Sequence, residues 1–367
     1  MIAPAEVPRG GARGNFHRLT VSELERVADD AVAVTFEVPA DLREVFQFRA
    51  GQHLTVRFGL AAGDQRRSYS ICSPAPFGSL RVGVRRLAGG QVSTHIHDHL
   101  RVGDRVDVMP PAGSFTLAPG PALGRLVALA AGSGITPVLS LVSTALRSDP
   151  EAEFTVVYSN RSVGSAMFLD ALADLKDRWP ARLQLIHLFS REPQTLATRN
   201  GRVDRARLIG LMEELRRPET VSTWYLCGPV GMVGAAQGVL AESGIPRERV
   251  RQELFFVEDE PPVRSAAEAR ELARPGEVTV RARLNGRETT FVTRRGLALV
   301  DGLAAVRDDA PFSCKGGVCA TCRARLVEGR VAMDHTYALD ASDRERGFVL
   351  TCQARPLTDV IALDYDA

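Results

Sequence analysis

Cys314-Lys315-Gly316-Gly317-Val318-Cys319-Ala320-Thr321-Cys322 places three thiols at gaps of four and two residues, and Cys352 adds a fourth much later. This is the spacing of plant-type [2Fe-2S] loops. Four thiolates must be held by a loop whose backbone N–H groups turn toward sulfur, and Gly316 and Gly317 permit that wrapping because they tolerate positive φ. The alternative for four cysteines is a structural zinc site. Zinc ribbons use two Cys-x2-Cys pairs, whereas one loop here carries three ligands at unequal gaps, so the spacing favours the cluster with Cys314, Cys319, Cys322 and Cys352 as metal ligands. With six cysteines in 367 residues and three of them crowded together, a metal group is expected before disulfides.

Working outward, Val278 to Leu284 and Thr289 to Thr293 are strand-like and meet at Asn285-Gly286, a strong hairpin signal. Just upstream, Glu258 to Pro275 is polar and proline-containing, the composition of an interdomain linker. Further upstream, apolar runs (Leu126 to Ala130, Phe154 to Tyr158, Leu183 to Phe189, Thr223 to Cys227) alternate with helical stretches such as Met167 to Arg178 and Met232 to Glu242. That alternation predicts a parallel doubly wound sheet. From Phe16 to Phe115 the pattern is short alternating runs, among them Val32 to Val38, His53 to Phe58 and Leu80 to Val84, which predicts a small antiparallel barrel.

The barrel carries Arg67-Ser68-Tyr69-Ser70, and Val84-Arg85 is followed by Gly89-Gly90-Gln91-Val92-Ser93. An Arg beside a Tyr-Ser pair offers a cation for a pyrophosphate, an aromatic face for a flavin ring and a hydroxyl for its reactive edge. A Gly-Gly-x-x-Ser turn opening a helix adds backbone donors for the same phosphates. Candidate flavin contacts are therefore Arg67, Tyr69, Ser70, Val84, Arg85, Gly90, Val92 and Ser93.

In the doubly wound region, Gly132-Ser133-Gly134-Ile135-Thr136-Pro137 follows an apolar strand and starts a helix, where such folds cradle a dinucleotide pyrophosphate, although the usual third glycine is absent. Cys227-Gly228-Pro229 provides a second turn on the same carboxyl edge. Arg161 follows the strand ending at Tyr158, and Ser190-Arg191 ends the strand Leu183 to Phe189, with no carboxylate evident for a ribose 2'-hydroxyl. Arginines with hydroxyl donors suit a 2'-phosphate, which favours NADPH and leaves NADH as the alternative.

The remaining features bound the class. The 46 basic and 44 acidic residues nearly cancel, so no strong field points to nucleic acid or a membrane surface. Leu126 to Leu146 holds no charge but is broken by Gly132, Gly134 and Pro137, so it is expected as strand, turn and helix and not as a membrane span. The N-terminal residues form no signal peptide, and the expected location is cytoplasmic. Thr94-His95-Ile96-His97-Asp98-His99 looks like a metal box but lacks a further ligand, so a solvated helix face is expected. Cys72 and Asp170 are expected to be ordinary core and surface residues.

On these motifs the chain resembles the ferredoxin-NADP reductase superfamily fused to a C-terminal plant-type ferredoxin, from Phe16 to Ala367. The resemblance implies a multidomain protein: residues 1–15 a disordered tail, 16–120 an antiparallel β-barrel binding FAD, 121–258 an α/β doubly wound NAD(P)-binding domain, 259–275 a linker, and 276–367 a β-grasp [2Fe-2S] ferredoxin domain. It further implies Ser70, Cys227 and Glu253 as catalytic residues, with Cys227 near the transferring carbon and Phe255 completing the flavin pocket. Phe48 to Leu54, Ala130 to Pro137, Cys314 to Cys322 and Gly329 to Met333 resemble reductase components that feed a separate di-iron oxygenase component, the implied partner. A reductase for a ring-hydroxylating or steroid oxygenase is the nearest variant. A non-enzymatic zinc module for protein binding stands as the distant one.

Overall fold

Alternation along residues 17–108 places every second apolar side chain on one face, and that face closes on itself. In the computed structural model, which describes residues 15–61, 63–76, 78–118, 122–196, 199–215, 217–255, 265–339 and 341–367, this segment forms β1 (His17–Ala28), β2 (Ala31–Glu37), β3 (His53–Leu60), β4 (Gly63–Ser70), β5 (Leu80–Arg85) and β6 (Arg105–Val108). The antiparallel sheet runs β4-β3-β6-β1-β2-β5, and an Ile71–Val82 bridge brings its two edges together into a barrel. Helix α1 (Gln91–Asp98) packs its buried Val92 and Ile96 onto the core formed by Leu19, Leu54, Val56 and Val84.

The next segment is a parallel sheet of β7 (Arg125–Ala131), β8 (Glu153–Asn160), β9 (Leu183–Phe189), β10 (Thr223–Gly228) and β11 (Val250–Leu254), in the order β11-β10-β7-β8-β9. Helices α2 (Ile135–Ser148) and α3 (Leu169–Arg178) bury one face with Leu126, Ala128 and Ala130. Helices α4 (Arg205–Glu214) and α5 (Val230–Glu242) bury the other with Val127 and Leu129. The order reverses between β7 and β10, and the carboxyl ends of these two strands define the crevice where ligands bind in such sheets.

The uncharged run that mimics a membrane span has a packing cause. Helix α2 is buried nearly all round because it lies between the parallel sheet and the barrel, sharing one apolar cluster with Ala31, Ala33, Ala50 and Phe115. Its polar side chains find partners across that interface: the Ser140 hydroxyl donates to Ser73 O (2.6 Å), and Thr144 Oγ1 accepts from Ala75 N–H (2.9 Å). Among the described residues no helix is long and apolar enough to cross a membrane.

The stretch expected as a linker contains helix α6 (Ala266–Leu272), started by a capping box in which Ser265 and Glu268 satisfy each other's backbone N–H groups. Its residues 259–264, like the expected tail apart from Asn15, lie outside the described residues. The final segment comprises β12 (Glu277–Leu284), β13 (Arg287–Arg294), α7 (Leu299–Ala304), β14 (Arg323–Glu328), β15 (Val331–Met333), α8 (Ala341–Glu345), β16 (Phe348–Leu350), β17 (Ala354–Pro356) and β18 (Val360–Asp364). The main sheet runs β13-β12-β18-β14-β16, with β12 and β18 parallel, and clasps α7 in a β-grasp. Asn285 (φ 55°) and Gly286 (φ 71°) make the left-handed pair that joins β12 to β13.

Candidate electron-transfer site

Residues 311 to 322 form no regular element, and positive φ at Lys315 (51°), Gly317 (76°) and Ala320 (54°) curls the loop around its own thiols. A side chain at Gly317 would also press on Gln353 Cγ at 3.0 Å. Gly316 N–H donates to Cys314 Sγ (3.3 Å), and Gln353 Nε2 donates both to Cys352 Sγ (3.4 Å) and to Lys315 O (2.7 Å). The cysteines associate two by two. Hydrogen bonding from Cys319 draws the Cys314 thiol down to about 7 and leaves Cys319 raised; Cys322 likewise lowers Cys352 and is itself raised.

That pairing tests which metal group fits. A single tetrahedral ion needs three or four donors converging on one point. A binuclear cluster needs two thiolates on each iron, with the pairs side by side. Cys314 feels the charge of Cys352 and Cys322 that of Cys319, so the two pairs adjoin as the binuclear group requires.

Strand β4 alternates. Arg67 is exposed and Tyr69 half-buried on the barrel core, where burial raises its phenol. The side chains of Val84 and Val92 are locked in that core, so only their backbone could meet a ligand. Ser93 is engaged by its own turn, accepting from Leu87 N–H (3.1 Å) and donating to Gly90 O (3.2 Å). Gly90 caps α1 without a side-chain hydrogen bond, which leaves first-turn amides available to a phosphate. An open pocket of about 460 Å³ lies there, lined by Leu60, Gly89, Gly90, Gln91, Thr94 and His95 among others. The rings of His95 and His99 lie 5.4 Å apart, tilted by 42°, and His97 Nε2 lies 3.1 Å from Val84 O. Arg85 leaves the barrel, bonding Ser165 O and lying 3.6 Å from Asp30, beside the Gly132 turn.

On the parallel sheet, Gly132 (φ 55°) is fixed by the Tyr158 hydroxyl donating to its carbonyl (3.1 Å), and Thr136 Oγ1 donates to Ser133 O (2.9 Å). Gly134 is required because a Cβ there would sit 2.3 Å from Cys227 O, so the two turns touch. Thr136 and Pro137 are buried in the first turn of α2, and Gly228 and Pro229 lead from β10 into α5. Arg161, Ser190 and Arg191 meet at one edge, where Arg191 N–H donates to Arg161 O (2.8 Å) and Ser190 N–H to Asn160 O (3.0 Å). An acid stands here too, in plain view of the sequence directly after Arg191: the Glu192 carboxylate accepts from Val163 N–H (2.7 Å).

The three segments converge on Glu253. It stands opposite Cys227 in the β10–β11 register, receives the Ser70 hydroxyl at 3.1 Å, and has His53 Nδ1 at 3.9 Å. Burial lifts its carboxyl to about 8, opposed by the Ser70 hydrogen bond and assisted by nearby Cys319. Burial also raises the Cys227 thiol, with Glu253 adding to the effect, and drives His53 down to about 4. His53 Nε2 has no protein partner. In sequence His53 stands only as part of a strand; its sole signal is a His among apolar neighbours. Phe255 packs at the edge of the cluster formed by α2, α3 and the sheet.

Comparison with known proteins finds three family matches along the chain. Residues 18–117 match the oxidoreductase FAD-binding domain, 128–238 the oxidoreductase NAD-binding domain, and 282–357 the 2Fe-2S iron-sulfur cluster binding domain. The chain is 39% identical to a 1,2-phenylacetyl-CoA epoxidase subunit of Escherichia coli (strain K12), over 96% of its length and 98% of that protein. It is 32% identical to the 3-ketosteroid-9-alpha-monooxygenase ferredoxin reductase component of Rhodococcus rhodochrous, over 99% of its length and 100% of that protein. Phthalate dioxygenase reductase shares the fold with a TM-score of 0.57 at 24% identity, covering 95% of this chain and 98% of that one.

Proposed function

This chain belongs to the reductase components of multicomponent oxygenases, with FAD-binding, NAD-binding and 2Fe-2S cluster-binding domains in one polypeptide, and from that premise we propose that it draws electrons from NADPH and serves an oxygenase component acting on phenylacetyl-CoA. The chain is an oxidoreductase. When bound, a flavin supplies the conversion of a hydride pair into single electrons, and a [2Fe-2S] group carries them singly.

In this reading, Arg67 and the amides after Gly90 would hold the flavin pyrophosphate, and Tyr69 and Ser70 would border its ring. Gly132, Gly134 and Gly228 let the nicotinamide dinucleotide approach the backbone. Cys227, at the end of β10, would border the nicotinamide when it is bound. Glu253, protonated at neutral pH, holds a proton beside Ser70 and keeps negative charge out of the junction. The convergence of Ser70, Cys227 and Cys319 on Glu253 is the observation that supports a single continuous route.

NADPH is supported by Arg161, Ser190 and Arg191 at one edge, while Glu192 is engaged by a backbone amide and not turned to a ribose. The phenylacetyl-CoA partner is supported by the 39% identity to the Escherichia coli epoxidase component, and by the four segments whose sequence resembles such reductases. Anaerobic titration with NADPH, followed by visible and paramagnetic resonance spectroscopy, tests the route. Flavin bleaching with appearance of a reduced-cluster signal is expected, faster than with NADH. Zinc in place of iron and acid-labile sulfide would overturn it. The partner is tested by mixing the reduced protein with purified oxygenase components: turnover with a steroid or ring-hydroxylating oxygenase, and none with the phenylacetyl-CoA enzyme, would reassign it.

A further inference from the structure

Two side chains of β4, Arg66 and Ser68, reach the cluster domain. Arg66 is 5% exposed, and two of its acceptors lie more than 240 residues away along the chain. Its Nη1 donates to Ala310 O (2.9 Å) and its Nη2 to Asp308 O (3.4 Å), while the guanidinium lies on the Phe312 ring, 4.0 Å from the centroid. Asp64 balances the charge from the barrel side at 3.2 Å. Two residues on, the hydroxyls of Ser68 and Ser313 meet at 2.9 Å. The segment gripped in this way, residues 308–313, runs directly into the first cluster cysteine, Cys314.

Burying a guanidinium costs several kcal/mol unless its donors are satisfied, so a planar fork aimed at two carbonyls and stacked on an aromatic ring is a specific contact. An arginine serving only the barrel would find its acceptors within the barrel. Val318 and Tyr337 add an apolar contact from the cluster domain to the nucleotide domain, which closes the third side.

We propose that Arg66, assisted by Ser68, is a positioning residue that docks residues 308–313 onto β4 and so sets the separation of flavin and cluster for electron transfer between them. The proposal rests on the flavin-to-cluster route above. Each NAD(P)H yields two electrons as a hydride; they pass singly to the cluster with one proton released, and Arg66 makes or breaks no bond in doing so. One strand therefore serves both redox groups, with Arg67 and Tyr69 on one face and Arg66 and Ser68 on the other.

The test uses full-length holoprotein carrying Arg66→Ala, with Ser68→Ala as a milder second variant. Stopped-flow reduction is expected to show an unchanged nicotinamide-to-flavin step and a flavin-to-cluster step slower by about tenfold or more, as expected for a small misplacement of reacting groups. The visible spectrum of the cluster should be intact. Hydrogen exchange should rise across residues 308–316 and small-angle scattering should report a larger radius, readouts that require no turnover. Arg66→Lys, which keeps the charge but not the fork or the stack, should fail to restore the rate. Unchanged flavin-to-cluster transfer with unchanged exchange at 308–316 would overturn the dock, as would full rescue by Lys. Equal slowing of both steps, or loss of the cluster itself, would reduce Arg66 to a structural role and also overturn it. A wild-type protein that never reduces its cluster would instead sink the route, while the exchange data still judged the dock.

Discussion

In the proposed route the cluster loop and the Glu253 junction both handle electrons, but they are assembled in opposite ways. Three of the four proposed cluster ligands lie within nine consecutive residues, and the loop's curl is dictated locally by Gly317 and by the amides that face sulfur. The junction collects His53, Ser70, Cys227, Glu253 and Cys319 from three domains, and no two of them are neighbours in sequence. Ligand chemistry fixes spacing and so leaves a readable motif. Convergence through topology leaves none.

The sharpest test of this contrast is Cys319→Ser. Because the cluster is held locally, losing one thiolate should empty the loop and abolish cytochrome c reduction, while ferricyanide reduction through the flavin survives. Loss of both activities would show that the junction depends on the loop and that the two regions are not separable. Glu253→Gln strikes the other region. The amide cannot ionise, so the nicotinamide-to-flavin rate should fall by roughly 10²-fold, and the wild-type inflection near the carboxyl value of about 8 should vanish from the pH profile. A variant that keeps the inflection would mean another group carries it.

The same contrast explains what is legible in advance. Asn285-Gly286, the turn Gly132 to Pro137 and the cysteine spacing each impose a backbone geometry that few other residues permit, and each appears where the sequence places it. Val84 and Val92 count as cofactor contacts only because they sit within a motif, yet strand alternation in β5 and the buried face of α1 put their side chains in the core. The capping box Ser265-x-x-Glu268 is legible but masked by flanking prolines, so helix α6 reads as linker in the sequence. Glu192 is in plain view beside Arg191, but its contact with Val163 N–H is not, and the role of Arg66 cannot be found from spacing because it depends on carbonyls and a ring supplied by another domain.

The cofactor edge stands between these extremes, since its arginines are local but its acid comes into play only through the fold. Arg191→Ala should lower kcat/KM for NADPH by about tenfold, the worth of one charge-assisted hydrogen bond, and leave NADH nearly unchanged. Equal losses with both cofactors would place Arg191 outside the 2'-phosphate contact. Glu192→Gln should have a smaller effect, because its carboxylate is occupied by Val163 N–H.

The least effect is expected from protonation of His53, and its sign separates it from Glu253. Native His53 titrates at about 4 against an ordinary 6.5, so the unfolded chain binds a proton that the folded chain refuses. Its contribution to stability is therefore complete above 6.5 and is lost as pH falls toward 4, about 1 kcal/mol between pH 7 and 5.5. Glu253 runs the other way: the folded chain keeps its proton to about 8 while the unfolded chain releases it near 4.5, so that contribution is complete below 4.5 and is lost as pH rises. The two oppose each other between 4.5 and 6.5, which would hide both in the wild type. In a Glu253→Gln background the thermal midpoint should drop by a few degrees, ~2–4 °C, from pH 7 to 5.5, and adding His53→Gln should remove that drop. Parallel curves for the two proteins would show that the junction does not hold His53 neutral, and that its buried ring belongs to the strand alone.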